Sequence, residues 1–455
     1  MVDLAARVAV IGGGWAGCAA AATLAAAGVP VTLFEQAPAL GGRARKVMHD
    51  GLALDNGQHL LLGAYTTTFE LVALVHGAEP TPSLFRRLPL TLRTFGVRHP
   101  HPVELVAWRA PSPFHLVGAL LSARGLRGAE RLALIADFRR LERAGFRRPS
   151  SETVEQCFAS SPRRAYAAIW EPLCLAALNT PPATASADIY ARVLRAAFTG
   201  SASNSDFFVP AKDLSATFPD AAASFVERNG GTVRRRSSVR AVSRHSGGVT
   251  LRLNAGSESF ASVVVAVGPH QLAATLGREI IVVESCRKLL ERVDNLRYES
   301  ITTIYFALAE PLDLAAPVLR LDNAPGQWLF DRKGLLEGDA MQEARSLVAV
   351  VISAGGAHDA LDHPTLAAKA EAQLRRLAPD LPKVVWWRVI VERRATYACV
   401  AELARPESGR ISAGIYLAGD YTDRELPATL EAATRSGVNA ARAVIADRQS
   451  QRPLL

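Results

Sequence analysis

Three glycines and one glutamate near the start of the chain have the spacing of a dinucleotide-binding site. Gly12, Gly14 and Gly17 form a G-x-G-x-x-G motif after a short β-branched segment, and Glu35 follows the next apolar segment. In such a motif the first glycine permits a tight turn, the second lets the backbone approach a pyrophosphate, and the third lets the helix pack close to the strand. The carboxylate of Glu35 suits both hydroxyls of an adenosine ribose and disfavours a 2′-phosphate. We therefore expect FAD or NAD here, rather than NADP.

A second glycine-containing turn follows that motif. Gly42 and Arg43 lie where a loop can close over dinucleotide phosphates, because glycine exposes backbone amides and the guanidinium neutralises charge. A solvated basic turn is the alternative interpretation. Further on, a turn at Gly57 is predicted to present the side chains of Gln58 and His59.

The C-terminal part of the chain carries a third motif. An apolar strand is expected to end in Gly419 and Asp420, and Pro427 is expected at the first position of the helix that follows. Asp420 can bond a ribityl hydroxyl, and the helix N-terminus can stabilise the anion of a reduced flavin. A flavin is therefore favoured over NAD.

The apolar patterns predict the elements that position these motifs. Strands at 7–11 and 31–34 flank a helix at 18–27, and a helix over 161–178 is expected to be kinked at Pro172. Further helices are predicted at 114–121, 131–141, 214–229 and 365–377, and further strands at 232–236, 239–243, 249–253, 259–265, 300–308, 347–353, 384–391 and 415–420. We expect the strands from 232 to 265 to form a small meander, and those from 300 to 391 to form the sheet of a second domain.

Length and composition limit the class of protein. A chain of 455 residues with 49% apolar content is expected to form two or three globular domains. Its five cysteines are scattered without a C-x-x-C pair, which predicts neither a zinc site nor a disulfide framework and favours a reducing, cytoplasmic compartment. The first residues lack the pattern of a secretory signal, so export is not expected.

The positive charge is concentrated in one region. Residues 86–148 hold 13 arginines and no lysine against four acids, which accounts for the whole net charge of +9. One interpretation is a helical subdomain with a solvated arginine face. The other is a membrane-facing surface, in which arginines meet anionic headgroups while aromatic and leucine side chains enter the acyl boundary. Nucleic acid is disfavoured as a partner, because no stacking platform of aromatic residues accompanies the arginines.

The chain resembles the amine-oxidase and carotenoid-desaturase superfamily of FAD flavoproteins in the motifs VIGGGWAG, GGRAR, LDNGQHLLLGAY and LAGDYTD followed by LPATLEAATRSG. Within that superfamily it resembles the hydroxysqualene dehydroxylase family in LDNGQH, WEPLCLAALNTPPATASA and LPATLEAATRSG. The likeness covers nearly the full length. Arg424 and Glu425 depart from it, since smaller residues are expected there, and this puts in doubt how closely that loop approaches the flavin.

The resemblance implies an α/β fold with a Rossmann-type FAD-binding domain assembled from discontinuous segments, 1–75, 205–270 and 395–455. An α+β substrate domain, 76–204 and 271–394, is implied to be inserted between them. The implied activity is that of an FAD-dependent oxidoreductase that reductively dehydroxylates hydroxysqualene, a C30 polyprenyl lipid, to squalene in bacterial hopanoid synthesis. The synthases that act before it are expected partners, and peripheral contact with the inner face of the cell membrane is expected through residues 86–148.

Candidate site residues follow from the motifs and the resemblance together. The candidate FAD-binding residues are Gly12, Gly14, Trp15, Gly17, Glu35, Gly42, Arg43, Gly57, Val239, Gly419, Asp420, Pro427 and Thr429. The implied reaction needs an acid that protonates the leaving hydroxyl. His59 is the first candidate, with Gln58 and Asp423 as further catalytic candidates, although a structural role for His59 stays open. Glu171 and Glu431 are weaker candidates, and Glu431 alternatively pairs with an arginine four residues further on. No metal ligands are predicted.

Two other kinds of function stay open. An isoprenoid desaturase or an amine oxidase would use the same fold, although amine oxidases usually need an aromatic cage and Tyr421 is the obvious aromatic residue near the C-terminal motif. A prenyl-lipid carrier would use the fold without FAD. The presence of the phosphate-type and ribityl-type motifs argues against the carrier.

Overall fold

The computed structural model describes residues 7–78, 82–336 and 344–450. The strands in these residues are β1 Val8–Ile11, β2 Val31–Phe34, β3 Lys46–His49, β4 Leu52–Asp55, β5 Leu61–Leu62, β6 Phe85–Leu88, β7 Thr91–Arg93, β8 Glu104–Val106, β9 Phe207–Pro210, β10 Thr232–Arg234, β11 Val239–His245, β12 Gly248–Leu253, β13 Gly256–Phe260, β14 Ser262–Val265, β15 Tyr298–Leu308, β16 Val318–Arg320, β17 Trp328–Asp331, β18 Ser346–Ser353, β19 Val384–Tyr397, β20 Gly409–Ser412 and β21 Ile415–Leu417. The α-helices are α1 Trp15–Ala26, α2 Thr66–His76, α3 Phe114–Ser122, α4 Gly128–Arg143, α5 Val154–Cys157, α6 Arg163–Ala165, α7 Glu171–Leu178, α8 Ala187–Phe198, α9 Leu214–Thr217, α10 Pro219–Arg228, α11 Pro269–Thr275, α12 Arg278–Ile281, α13 Glu284–Asp294, α14 His363–Leu377 and α15 Leu430–Ser450.

A six-stranded sheet with the order β10-β2-β1-β14-β21-β20 carries the first glycine motif. Its strands are parallel except for β20, which is antiparallel to β21. The central strands are buried on both faces, as a parallel sheet requires. Helices α1, α10 and α15 pack on one face, and the small antiparallel sheet β11-β12-β13 packs on the other. The predicted α/β fold is confirmed.

The predicted meander from 232 to 265 is only partly correct. β11, β12 and β13 form an antiparallel meander, but β10 pairs with β2 and β14 pairs with β1 in the parallel sheet. The segment predicted as one strand at 259–265 is divided between two sheets, because the chain turns at Ala261. The reason is burial: the run Val263–Val265 is apolar on both sides, which suits a central parallel strand better than a half-exposed one.

Two predicted helix boundaries are also wrong. The helix predicted at 214–229 is divided into α9 and α10 at Phe218, because Pro219 lacks an amide hydrogen and occupies the first turn of α10. The last helix begins at Leu430 and not at Pro427. Thr429 caps it, since Thr429 Oγ1 accepts a hydrogen bond from the amide of Ala432 at 3.1 Å.

A five-stranded antiparallel sheet with the order β16-β17-β18-β15-β19 forms the centre of the second unit. Helix α14 covers one face, and the strands predicted at 300–308, 347–353 and 384–391 are confirmed as parts of β15, β18 and β19. β16 and β17 were not predicted, because three and four residues are too short to show a period. β19 is longer than expected and runs to Tyr397, past the predicted domain boundary at 394.

The segment between β8 and β9 is helical. The helix predicted over 161–178 is α6, a π-helical turn at Tyr166–Trp170, and α7, so the irregular turn directly precedes Pro172 as expected for a proline kink. Asn179 ends α7 in the left-handed conformation, with φ of 48°. All five cysteines are buried and free. Within the described ranges, no helix combines the length and the apolarity needed to cross a membrane.

Candidate active site

A cavity of about 810 Å³ lies between the parallel sheet and the five-stranded sheet. Twelve of the thirteen predicted FAD-binding residues line it, from the glycine motif of β1 and α1 to the loop before α15. The exception is Gly17, which packs behind the wall, where an added Cβ would lie 1.8 Å from Gly12 O. A volume of this size is within the range of ligand and cofactor sites.

Two glycine turns face each other at one end of the cavity. The amide of Gly41 donates to Gly13 O at 2.8 Å. Gly12 has φ of +102° and Gly42 has φ of +61°, both in the left-handed range that favours glycine. An added Cβ at Gly14 would have Gly42 Cα as its nearest neighbour at 3.9 Å and would otherwise enter the cavity. The two turns therefore form a cradle of exposed backbone, which we call the glycine cradle.

Glu35 closes the glycine cradle on its outer side. Its carboxylate accepts hydrogen bonds from the amides of Gly13 at 2.6 Å and Ala37 at 2.7 Å, and the residue is only 8% exposed. Helix α1 begins at Trp15, and its first amides have no acceptor within the helix. Trp15 is held by a bond from its indole nitrogen to Ala44 O at 3.0 Å. The cradle thus presents a helix N-terminus and a fixed carboxylate to the same space.

Arg43 and Asp420 meet in the cavity although they are far apart in the sequence. Arg43 Nη2 lies 2.6 Å from Asp420 Oδ1, and Arg43 Nη1 donates to Ala395 O at 2.9 Å. The guanidinium is 36% exposed and the carboxylate 7%. The two residues predicted to bind the phosphates and the ribityl chain therefore form an ion pair that joins the second glycine turn to the loop after β21.

The turn at Gly57 places two catalytic candidates in the cavity. His59 Nδ1 lies 2.9 Å from Gly57 O, so the neutral ring carries its hydrogen on Nδ1 and leaves the lone pair on Nε2. Burial lowers the pKa of His59 below its ordinary value. The bond to Gly57 opposes that shift, and the positive charge of Arg43 adds to it. Asn56, the residue before Gly57, donates through its side-chain amide to Glu392 Oε2 at 2.8 Å and to Arg43 O at 3.1 Å.

A buried network fixes Gln58 from behind. The Gln58 amide donates to the hydroxyl of Tyr305, which in turn donates to Asp55 O at 2.9 Å. The carboxylate of Asp55 pairs with Arg332 at 2.8 Å, and both side chains are at most 3% exposed. This pair links β4 to the end of β17, so it joins the glycine-cradle side of the cavity to the five-stranded sheet.

Several polar residues of the cavity were not predicted from the sequence. Among them are His270, Tyr298, Glu392 and Arg394. Glu392 borders a register shift in the pairing of β15 with β19, and Arg394 lies within it, where the pairing moves from Glu299–Thr396 to Ile301–Glu392. A bulge of this kind redirects side chains, and no turn residue marks it in the sequence.

The other predicted acids lie elsewhere or have other partners. Asp423 does not line the cavity; its carboxylate accepts from the amides of Glu425 and Leu426 and pairs with Arg435 at 3.3 Å. Glu171, at the start of α7, is also absent from the lining. Glu431 lines the cavity but binds the first amides of α2, at Thr67 and Thr68. The predicted pairing of Glu431 with Arg435 is wrong, because Glu431 binds the amides of α2 and Arg435 pairs with Asp423.

The far end of the cavity is an apolar chamber. Its walls come from α7, α8 and the inner face of the five-stranded sheet, and the side chains are Leu173, Ala177, Val193, Leu194, Phe198, Ile301, Val318, Trp328, Phe330 and Val351. Helix α7 carries no charged residue after Glu171, which suits such a lining. In the described residues no cluster of His, Cys, Asp and Glu has the composition of a metal site.

Known proteins resemble this chain over almost its whole length. The family described as flavin containing amine oxidoreductase matches residues 15–445. The chain belongs to this family. It is 28% identical over 455 residues to hydroxysqualene dehydroxylase of Rhodopseudomonas palustris, covering 96% of this chain and 98% of that protein. It is 27% identical over 466 residues to hydroxysqualene dehydroxylase of Sinorhizobium fredii, covering 96% and 97%.

A solved structure supports the same fold. An oxidoreductase from Methanosarcina mazei has a TM-score of 0.72 and 16% identity, covering 97% of this chain and 100% of that one. As a member of the flavin-containing amine oxidoreductases, the chain is an oxidoreductase enzyme. Its predicted resemblance to hydroxysqualene dehydroxylases is confirmed by the two relatives.

Proposed function

We propose that this oxidoreductase binds FAD and reductively removes the hydroxyl group of hydroxysqualene, releasing squalene and water. The observation that carries the proposal is the single cavity in which the glycine cradle opens into the apolar chamber. Such a cavity suits a nucleotide cofactor at one end and a long hydrocarbon at the other. The activity for which the two relatives are named supports the choice of substrate. We propose further that the product enters bacterial hopanoid synthesis in a cytoplasmic setting.

The residues of the glycine cradle fit FAD. The space at Gly14 that a Cβ would fill would admit a pyrophosphate beside the α1 N-terminus, and Arg43, which lines the same cavity, would neutralise its charge. Glu35 would hold the adenosine ribose, Asp420 the ribityl chain, and Val239 and Thr429 line the same space. When bound and reduced, FAD supplies the hydride that replaces the hydroxyl group on carbon.

His59 is the proposed proton donor. The hydroxyl leaves as water only if an acid protonates it. The bond from Nδ1 to Gly57 O leaves His59 Nε2 free, and in the imidazolium form Nε2 carries the proton that would be donated. Gln58, held by Tyr305, would orient the hydroxyl beside it. The step balances, because the substrate gains one hydride, the hydroxyl gains one proton, and the cofactor is oxidised by two electrons.

Anaerobic mixing tests the proposal. The photoreduced protein is combined with hydroxysqualene in detergent, and the flavin absorption band is followed while the products are extracted. We expect the oxidised band to return and squalene to appear in equal amount. Reduction of the oxidised protein by a saturated terpene would indicate a desaturase, and reduction by an amine would indicate an amine oxidase. Purification of a colourless protein that takes up no FAD would overturn the proposal in favour of a carrier.

A further inference from the structure

The hairpin of α3 and α4 exposes large apolar side chains to solvent. Phe114 and Leu121 of α3 are 66% and 49% exposed, and Leu132 of α4 is 63% exposed. Trp108, 54% exposed, lies flat against α3 at Gly118, and its indole nitrogen donates to Ser122 Oγ at 2.9 Å.

These side chains lie close together on one side of the hairpin. Phe114 and Leu121 are seven residues apart and therefore lie on one face of α3. Arg131 Nη1 donates to Leu121 O at 2.6 Å, which places the first turns of α4, with Leu132, beside the end of α3. Large apolar side chains that lie side by side in water are unfavourable, and such a patch marks a surface that another apolar phase or partner covers.

Three arginines lie next to these apolar residues in the sequence. Arg109 follows Trp108, and Arg124 and Arg127 lie between the two helices. Residues 105–136 contain only one acid, Glu130, which is 8% exposed and caps α4 through the amide of Arg127. Among the described residues, Arg109 and Arg127 make no ion pair, and Arg124 lies 3.7 Å from Glu104 with 85% of its side chain exposed. We call these residues, with Trp108, Phe114, Leu121 and Leu132, the α3–α4 surface.

A second cavity continues inward from this hairpin. It has a volume of about 90 Å³ and is lined almost entirely by apolar side chains of α3, α4 and the segment before α7, including Leu116, Leu120 and Ile135. Leu90, Leu173 and Phe198 line both this cavity and the large one, so they form a wall between the two. The second cavity therefore lies between the α3–α4 hairpin and the apolar chamber.

We propose that the α3–α4 surface docks on an anionic phospholipid bilayer and that the cavity behind it is the route by which a membrane lipid reaches the apolar chamber. Charge complementarity selects the bilayer as occupant, because exposed aromatic and leucine side chains beside arginines, two of which make no ion pair in the described residues, match an interface of acyl chains and phosphates. The route rests on the proposed function, since it needs a lipid substrate. The docking does not.

Vesicle flotation tests the docking. Vesicles contain phosphatidylcholine alone or with 30% phosphatidylglycerol, and we expect flotation only with the anionic lipid and less of it at high salt. Arg109→Glu with Arg127→Glu should weaken binding about 25-fold or more, at about fivefold for each arginine. The matched control replaces two exposed arginines elsewhere, Arg252→Glu with Arg292→Glu, and should bind as the unmodified protein does.

A second pair of variants tests the apolar component. Phe114→Ser with Leu132→Ser should weaken flotation roughly tenfold. The control Met48→Ser with Val282→Ser alters two equally exposed apolar residues, 60% and 76% exposed, and should have no effect. Equal losses in test and control variants would overturn the docking. So would a dimer in solution that the Phe114→Ser variant disrupts, because a second copy of the chain would then cover the surface.

Fluorescence quenching locates the contact. Vesicles that carry brominated acyl chains should quench part of the tryptophan emission, and Trp108→Phe should remove that part. Trp387 is the other exposed tryptophan, at 38% exposure, and Trp387→Phe should not change the quenched part of the emission. Quenching that survives Trp108→Phe would place the bilayer on a different surface.

Turnover tests the route. Ile135→Trp fills the second cavity, and we expect at least tenfold slower conversion of hydroxysqualene embedded in vesicles, with flotation and flavin content unchanged. Unchanged conversion by this variant would overturn the route. If the unmodified protein converts no hydroxysqualene in detergent or in vesicles, the proposed function fails, whereas flotation and quenching still decide the docking.

Discussion

The two ends of the large cavity are built in opposite ways. At the glycine cradle the surface is main chain: Gly12 and Gly42 have positive φ, and Gly13 and Gly41 are joined by a backbone hydrogen bond. At the apolar chamber the surface is side chains from α7, α8 and the five-stranded sheet. The first surface is shaped by a few neighbouring residues, whereas the second is shaped by packing of segments more than a hundred residues apart.

The difference teaches where the chain tolerates change. Main-chain atoms held in a turn cannot change rotamer as side chains can, so one added carbon atom alters the shape of the cradle. A chamber lined by flexible apolar side chains can repack when one of them changes size. We therefore expect substitutions in the cradle to act as an all-or-none loss of flavin and substitutions in the chamber to act gradually on the substrate.

The largest effect is expected from Gly14→Val. The backbone at Gly14 is extended and an added Cβ meets no atom closer than 3.9 Å, so the fold should persist. The branched side chain would occupy the space where a pyrophosphate approaches the backbone, and we expect no flavin to co-purify. The ratio of flavin to protein absorbance measures this, with the thermal midpoint as a test of folding.

Gly128→Val is the matched control for that variant. Gly128 begins α4, and an added Cβ there meets nothing within 4 Å. It should retain a full complement of flavin. A Gly14→Val protein that purifies with normal flavin would show that the cradle is not the cofactor site and would remove the contrast between the two ends.

His59→Gln should give the next largest effect. Loss of a general acid typically slows a reaction 10²- to 10⁴-fold, and flavin content should not change because the residue lies beyond the cradle. Burial lowers the pKa of His59 below its ordinary value of 6.5, so its protonated fraction is small at neutral pH and rises as the pH falls. Dehydroxylation by the unmodified enzyme should therefore accelerate as the pH falls below 6.5, and the variant should show no such slope. A slope shared by both proteins would assign the proton to another residue.

Arg332→Met tests the buried Asp55–Arg332 ion pair, which joins the glycine-cradle side of the cavity to the five-stranded sheet. It leaves Asp55 buried without its partner, and removal of one member of a buried pair typically costs about 3–5 kcal/mol. Urea unfolding of the flavin-free protein measures the free energy of unfolding. Arg287→Met, which breaks an exposed ion pair with Glu284, is the control and should change it little. Equal effects of the two variants would mean that the Asp55–Arg332 pair does not hold the two ends together.

The same contrast explains what the sequence could and could not predict. The glycine motif, Glu35 and Arg43 belong to short stretches whose residue types and spacing are typical of a dinucleotide site, and all of them except Gly17 line the cavity. Glu392 was missed, because a register shift in β19 brings it there and the shift depends on pairing with β15. The start of α15 was misplaced for a related reason. Pro427 and Thr429 are both acceptable at a helix start, and only the bond from Ala432 to Thr429 decides between them.

The smallest effect is expected in the chamber, from Val193→Phe. Val193 lies on α8, half-buried, with its side chain in the lining, so a larger ring narrows the chamber without touching the cradle. We expect full flavin content and a loss of about tenfold in kcat/KM for hydroxysqualene, the range expected for one poorly fitting group in an apolar pocket. A C15 allylic alcohol, which needs less of the chamber, should be affected less, and Val193→Ala should change neither substrate appreciably. An equal decrease in kcat/KM for both alcohols would mean that the phenylalanine ring disturbs the reacting carbon. The apolar chamber would then not be the part of the cavity that holds the rest of the C30 chain.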